Sequence, residues 1–150
     1  MFSEHFKDAP RGALINGVRS EDVQDLSFSD ESFDLCTSTE VFEHVPDDRA
    51  GFRELLRVLR PGGHLIFTVP LADARSTTER AVARDGTISY LMAPTYHGDR
   101  LTGSDSVLVF RDYSRDICDR LLEVGFTRAS ITESNESYFG HSRKAVVAVK

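Results

Sequence analysis

The stretch DLCTSTEVFEHV, residues 34–45, decides the fold. After Asp34 it has an apolar Leu-Cys pair, then small hydroxyl residues, and its last part carries two acids and a histidine, Glu40, Glu43 and His44. An apolar run that ends in polar groups is typical of a strand in an open α/β sheet, because ligands bind just beyond the carboxyl ends of such strands. We therefore predict that FDLCTS (33–38) is a strand covered on both faces, with its tip at a ligand site.

The residues around this stretch predict further strands and a helix. ALINGV (13–18) predicts a short strand before it, and HLIFTVP (64–70) a buried strand after it. Between the two later strands, Asp47 or Asp48 is placed to cap a helix, and Pro61-Gly62-Gly63 is placed to end it. The helix has its apolar positions at i, i+3, i+4 and i+7, namely Phe52, Leu55, Leu56 and Leu59.

The second half of the chain predicts a hairpin, a second helix and two final strands. Asp85-Gly86 lies between two alternating segments, which is a strong hairpin signal. Ser114 is placed to cap a helix that ends at Gly125. FTRASIT (126–132) and AVVAVK (145–150) are joined by a connection too short for a covering helix, so they should pair antiparallel.

These elements predict an α/β fold. We expect a mostly parallel sheet with an antiparallel last strand and helices on its faces. With 150 residues, the chain has the length of one domain, residues 1–150, and we place an inserted flap at about 71–112.

Charge and cysteine usage exclude some classes of function. The net charge of −6, without a dense run of Lys and Arg, argues against a nucleic-acid partner. The sequence contains no apolar run long enough to cross a membrane, and MFSEHFKD lacks the pattern of a signal peptide, so we expect no membrane partner. Cys36 and Cys118 lie in apolar surroundings and predict reduced thiols in a cytoplasmic protein.

The order of two longer segments resembles a known family. SEDVQDLSFSDESFDLCTSTEVFEHVPD (20–47), followed by FRELLRVLRPGGHLIFTVP (52–70), is similar to the class I S-adenosylmethionine-dependent methyltransferases, in particular the small-molecule, methyltransferase type 11-like members. The resemblance implies a Rossmann-like fold, S-adenosylmethionine as cofactor, and methyl transfer to a small-molecule acceptor.

The resemblance also implies positions for the adenosine half of the cofactor. Leu26-Ser27-Phe28 match an LPF-like motif, so Asp22 takes the place of the acid that accepts a hydrogen bond from the adenine amino group, with the Val23 backbone facing the ring. Glu4 falls where an acid binds the ribose hydroxyls. The alternative for Asp22 is a solvated loop acid.

Residues near the reacting end of the cofactor follow from the same resemblance. Ser38, Thr39 and Glu40 correspond to the strand tip beneath the methionine end, although Glu40 also fits a helix-entry acid. His44 corresponds to a residue close to the transferred methyl, where it would serve as a base; the alternative is a His that packs on the sheet.

Two residues of the flap are candidates for contact with the methyl acceptor. No metal site is predicted. Tyr96 and His97 lie where flaps of the family close over the substrate, although an ordinary turn at this point would explain them equally well. The remaining histidines, His5, His64 and His141, stand singly without a partner at metal-ligand spacing, so we interpret them as surface or structural residues.

The sequence departs from the family in one respect. No Gly-x-Gly occurs in the 150 residues, so the first strand and its glycine loop are absent, and we expect an N-terminally truncated fold. In the family that strand lies beside the one matched by 33–38, which would leave an unpaired edge. We expect a homodimer through this edge. The alternative function is a non-catalytic methyltransferase-like module, or a truncated remnant that acts through protein–protein contact.

Overall fold

A computed structural model describes residues 1–6, 8–99, 104–133 and 144–150. In chain order the elements are β1 (Ser3–Glu4), β2 (Leu14–Ile15), β3 (Val18–Ser20), β4 (Phe33–Thr39), a 3₁₀ turn (Phe42–His44), α1 (Asp48–Val58), β5 (Leu59–Thr68), β6 (Thr78–Glu79), β7 (Ala81–Arg84), β8 (Thr87–Tyr90), β9 (Tyr96–Asp99), β10 (Ser104–Leu108), β11 (Arg111–Asp112), α2 (Ile117–Val124), β12 (Arg128–Glu133) and β13 (Lys144–Val149).

The main sheet has four strands in the order β12, β13, β5, β4. β4 runs parallel to β5, whereas β13 runs antiparallel to β5 and β12 antiparallel to β13. The predicted antiparallel pairing of the two last strands is therefore confirmed. The α/β fold with an antiparallel last strand is confirmed as well. The prediction of a mostly parallel sheet is wrong, because one of the three strand pairings in this sheet is parallel and two are antiparallel.

Both helices cover the same face of this sheet. Leu65 and Phe67 of β5 point to that face and are buried, in one core with Phe52 of α1 and Leu121 of α2. Leu56 of α1 lies against Gly125 at the end of α2, so the helices also touch each other. Packing of two amphipathic helices against the apolar side of the sheet forms the core.

The other face of the sheet is exposed, which corrects the prediction that 33–38 is covered on both faces by helices. Leu35 of β4 and Ile66 of β5 point to this face and are 53% and 37% exposed. Within the described ranges both helices lie on the opposite face, so these side chains meet solvent. Apolar composition alone cannot distinguish a strand covered on one face from one covered on both.

β4 forms one edge of the main sheet, which agrees with the unpaired edge predicted for 33–38. In the described part of the chain, β5 is its one hydrogen-bonded neighbour. β1, β3 and β2 form a separate three-stranded sheet in which β1 runs parallel to β3.

The predicted strand at 13–18 is wrong: it is a hairpin of β2 and β3. Asn16 and Gly17 form its turn with φ values of 51° and 83°. Asn-Gly favours this two-residue turn because both positions need a positive φ. The apolar residues on either side therefore belong to two antiparallel strands.

The boundaries of α1 and α2 differ from the prediction in two places. Asp47 caps α1 by accepting a hydrogen bond from Ala50 N at 2.9 Å, as predicted. Leu59 begins β5 instead of ending the helix, so that strand spans Leu59–Thr68. Ser114 does not cap α2, because its hydroxyl donates to the Ala74 carbonyl; Asp116 occupies the N-cap position.

Residues 71–112 contain short strands between β5 and α2. The predicted hairpin is confirmed, because β7 and β8 pair antiparallel around Asp85 and Gly86. β9 pairs with β10, and β6 pairs with β11. Residues 100–103 of the predicted flap lie outside the described residues, and so does His141. The division into a single domain remains a prediction. Among the described helices, none is both long and apolar enough to cross a membrane.

Candidate functional site

The tip of β4 carries three of the predicted cofactor residues. Glu40 adopts a φ of 51°, and its backbone N–H donates to the Thr68 carbonyl at 3.0 Å, which joins the tips of β4 and β5. A non-glycine residue in this left-handed region costs free energy, and such residues cluster at binding sites. The hydroxyl of Ser38 is buried and has no hydrogen-bond partner among the described residues, whereas Thr39 and Glu40 are exposed.

The loop that carries Asp22 is attached to the N-terminus of α1. Asp22 Oδ1 accepts hydrogen bonds from the backbone N and the side-chain Nε2 of Gln24, at 2.9 and 3.1 Å. The Gln24 side-chain oxygen in turn accepts from the backbone N of Asp47 at 2.9 Å. Val23 packs beside Phe42 over Gly51, where α1 approaches the 3₁₀ turn. Two predicted cofactor residues are thereby held close to the segment that follows β4.

Glu4 lies beside the start of the same loop. Its backbone carbonyl accepts a hydrogen bond from Glu21 N at 2.9 Å, and its side-chain oxygen accepts from the neighbouring His5 N at 2.9 Å. Because β1 and β3 are parallel, Glu4 and Asp22 lie at the same end of this small sheet. The prediction placed both at the adenosine half of the cofactor.

The 3₁₀ turn that follows β4 buries the carboxylate of Glu43, for which the sequence predicted a place near the strand tip but no specific role. Glu43 is 1% exposed, and neither of its carboxylate oxygens has a hydrogen-bond partner among the described residues. Burial raises the pKa of Glu43 to about 7, and the nearby charge of Glu40 adds to the rise. The type of residue was visible in the sequence, but its burial depends on the packing of the flap.

His44 and His97 come together in the structure although they are far apart in sequence. The His44 Nδ1 atom lies 2.9 Å from the Leu108 carbonyl, and the two imidazole rings meet edge to face with centroids 5.0 Å apart. The structure therefore joins the candidate base to a candidate substrate residue. Tyr96 precedes His97 on β9 and points the other way; it is exposed, and its hydrogen bond to Tyr90 raises its pKa.

A cavity of about 210 Å³ lies beside these groups. Glu43, His97, Arg111 and Asp112 supply its polar lining, and residues 70–72 and 109 supply mainly apolar lining. A concave site with an apolar wall and a few converging polar groups is typical of small-molecule binding.

Arg111 holds the segment after the 3₁₀ turn in place, a role that no local sequence pattern indicates. It is 3% exposed and donates to the carbonyls of Val45 and Pro46 at 2.6 and 2.7 Å, and to Glu79 at 3.0 Å. Five donors in a planar fork suit this arrangement. Arg111 thus links the flap to the chain that positions Glu43.

Part of the sequence matches a known family. Residues 2–67 match the family model described as a methyltransferase domain. The demethylmenaquinone methyltransferase of Clavibacter sepedonicus is 41% identical over 70 residues, which cover 44% of this chain and 29% of that protein. The chain therefore spans less than a third of the length of this relative.

Solved methyltransferases share the fold over most of the chain. An S-adenosylmethionine-dependent methyltransferase from Mesorhizobium loti has a TM-score of 0.56 at 18% identity, covering 89% of this chain and 70% of that one. The 1,6-didemethyltoxoflavin-N1-methyltransferase of Burkholderia thailandensis, solved with bound S-adenosylhomocysteine, has a TM-score of 0.56 at 16% identity, covering 89% and 51%. Residues 2–67 are thus similar to a methyltransferase domain, and over most of its length the chain has the fold of solved S-adenosylmethionine-dependent methyltransferases.

Proposed function

We propose that this protein binds S-adenosylmethionine and transfers its methyl group to a small-molecule acceptor. The observation that carries the proposal is the connection of the Asp22 loop, through Gln24, to the N-terminus of α1, which follows the polar tip of β4. This connection brings the residues assigned to the adenine and to the methionine end of the cofactor toward one site. The family match over residues 2–67 covers all of these residues and supports the same assignment.

Each candidate residue has a role in this proposal. Asp22 accepts from the adenine amino group beside Val23, and Glu4 accepts from the ribose hydroxyls. At the tip of β4, the hydroxyl of Ser38 has no hydrogen-bond partner in the described part of the chain, which supports a contact of Ser38, Thr39 and Glu40 with the amino-acid end of the cofactor. Asp22, Val23 and Glu4 are only partly buried, so a ligand can reach them.

Methyl transfer itself is a direct displacement. The acceptor atom forms a bond to the methyl carbon while the bond from that carbon to the sulfonium sulfur breaks, and S-adenosylhomocysteine leaves. The proton of the acceptor goes to a base, for which His44 is the candidate. His97 and Tyr96 are the candidates for contact with the acceptor, and the cavity beside His97 supports this for His97 in particular. Positioning of the two reactants supplies most of the acceleration.

Calorimetric titration with S-adenosylhomocysteine tests the proposal. Asp22→Asn keeps an oxygen that can accept from Gln24 N, so the loop is retained while the charge is removed. We expect micromolar binding by the parent protein and roughly tenfold weaker binding by Asp22→Asn, since a hydrogen bond to a charged group is worth about 1.5–3 kcal/mol. Asp25→Asn, an exposed acid of the same loop, is the matched control and should bind like the parent. Absence of binding by the parent would overturn the proposal.

A second candidate function, favoured by the open edge of β4, is protein binding. An apolar edge strand with unpaired backbone groups is a template for another strand. Leu35 on β4 is 53% exposed, and we propose that this edge pairs with β4 of a second copy in a homodimer. Sedimentation should show a dimer at micromolar concentration that Leu35→Lys weakens. A monomer at that concentration would contradict it.

Free thiols at Cys36 and Cys118 support the expected cytoplasmic location.

A further inference from the structure

Three side chains of the candidate site have the composition of a metal centre. Glu43, His44 and His97 each present one ligand atom, and these atoms all lie within 4.8 Å of one another. We propose that these three residues bind one divalent transition-metal ion of the Zn²⁺ type at the wall of the cavity. The sequence predicted no metal site, because His97 reaches the other two residues through the fold of the flap.

The strongest argument is the state of Glu43. A buried carboxylate is costly unless it is paired with a charge, accepts hydrogen bonds or coordinates a metal. The Glu43 side chain is only 2% exposed, so solvent does not compensate its charge. Neither of its oxygens has a hydrogen-bond partner among the described residues. Arg111 lines the same cavity, but it donates to backbone carbonyls and to Glu79. A bound cation would satisfy the Glu43 carboxylate.

His44 is held as a metal-binding histidine usually is. A metal-binding His typically donates its other ring N–H to a carbonyl or carboxylate, which fixes the tautomer and the ring orientation. His44 Nδ1 lies 2.9 Å from the Leu108 carbonyl, and His44 Nε2 lies 3.8 Å from a Glu43 oxygen. The antiparallel pair of β9 and β10 supplies both the Leu108 carbonyl and His97, so this pair positions two of the three ligands.

The donor set selects the class of metal. Two imidazoles and one carboxylate, with the remaining position open, form catalytic zinc sites, and the same set suits other first-row ions. Mg²⁺ prefers oxygen ligands and would bind poorly. Ligand atoms of a tetrahedral site with bonds of about 2.0–2.2 Å lie roughly 3.3 Å apart, so small side-chain rotations would complete the site.

Metal binding at this site is independent of the proposed methyl transfer, because it requires neither cofactor nor acceptor. If both hold, the two roles of His44 exclude each other: an imidazole nitrogen bound to a metal cannot take up a proton. The ion would then act as a Lewis acid that lowers the pKa of an acceptor hydroxyl in the adjoining cavity.

The test is Zn²⁺ binding by calorimetry and by thermal unfolding, without cofactor. The parent should bind one Zn²⁺ per chain, and its Tm should rise with Zn²⁺ because the ion binds the folded state. His97→Ala and the isosteric Glu43→Gln should each weaken binding at least tenfold and lose the Zn²⁺-dependent rise in Tm. Circular dichroism without metal would show that the variants fold.

His64→Ala is the matched control, since His64 is an exposed histidine of β5 outside the cluster. It should bind Zn²⁺ like the parent. Co²⁺ should show the d–d absorption of a four- or five-coordinate site in the parent and in this control but not in His97→Ala. Absence of Zn²⁺ binding by the parent, equal affinity in His97→Ala and His64→Ala, or equal binding of Mg²⁺ would overturn the proposal. Failure of the parent to bind S-adenosylhomocysteine would overturn the proposed methyl transfer but not the metal site, because Zn²⁺ binding is measured without cofactor.

Discussion

The backbone N–H of Asp47 donates to the side-chain oxygen of Gln24 at 2.9 Å, which joins the N-cap of α1 to the loop that carries Asp22. The Gln24 amide nitrogen bonds to Asp22 at the same time. Gln24→Ala should lower the free energy of unfolding by about 1 kcal/mol and weaken S-adenosylhomocysteine binding several-fold, because both hydrogen bonds are lost. Urea unfolding and calorimetry measure the two effects. Unchanged cofactor affinity in this variant would show that the connection does not position Asp22.

Arg111 should be among the most sensitive positions for stability. Arg111→Met keeps much of the volume but leaves the carbonyls of Val45 and Pro46 without their donor and Glu79 without one of its two cations. We expect a loss of about 3 kcal/mol in the free energy of unfolding, because removing one member of a buried ion pair leaves the other groups buried without compensation.

Arg115→Met, at an exposed position before α2, is the control for Arg111→Met. A surface substitution of this kind should change the free energy of unfolding by less than about 0.5 kcal/mol. Equal effects of the two substitutions in urea unfolding would contradict the structural role of Arg111.

Glu54 should make stability depend on pH in the acid range. Its hydrogen bond from Arg57 lowers its pKa below the ordinary value, burial opposes this, and a bond from the Leu26 N–H at 2.8 Å lowers it further. The folded state therefore binds a proton less readily than the unfolded state. The stabilisation is present above the unfolded pKa and is lost as pH falls through the folded pKa.

Glu54→Gln checks this sign. At neutral pH the parent should exceed the variant by about 1 kcal/mol in the free energy of unfolding, and this difference should shrink as pH falls through the folded pKa of Glu54. Urea titrations at several pH values measure it. A difference that grows on acidification would be incompatible with the hydrogen bonds made by Glu54.

Cys36 should react slowly despite its place on the edge strand. Burial raises the pKa of its thiol to about 11, so little thiolate is present near neutral pH. In a Cys118→Ser background, alkylation by iodoacetamide at about pH 8 should be on the order of a hundredfold slower in the folded protein than in urea. The folded rate should continue to rise with pH beyond the point at which the unfolded rate levels off. Equal rates in both states would exclude the raised pKa.

Local signals in the sequence predicted the elements that depend on neighbouring residues. The spacing of Phe52 and Leu55 and the cap at Asp47 predicted α1, and Asp85-Gly86 predicted its hairpin. Asn16-Gly17 carries an equally local turn signal, but the apolar residues around it resembled a single strand. Such patterns suffice when the interactions that fix an element lie within a few residues.

Features that depend on distant residues could not be predicted. The exposure of Leu35 reflects which elements cover the sheet, a property that the composition of β4 does not contain. The meeting of His44 with His97 depends on the path of the flap and on the Leu108 carbonyl. The burial of Glu43 is a result of the same packing. The family resemblance supplied the roles of Asp22 and the β4 tip, which physical patterning alone would not have assigned.

Amide chemical shifts of isotopically labelled protein, recorded during titration with S-adenosylhomocysteine, would test the proposed cofactor site most directly. We expect the largest changes at Asp22 and Val23 and at Thr39 and Glu40, because these residues are assigned to the two ends of the cofactor. The amides of β12, at the far edge of the sheet, should not change. Shifts confined to β12, or no shifts at millimolar ligand, would contradict a cofactor site built from the Asp22 loop and the tip of β4.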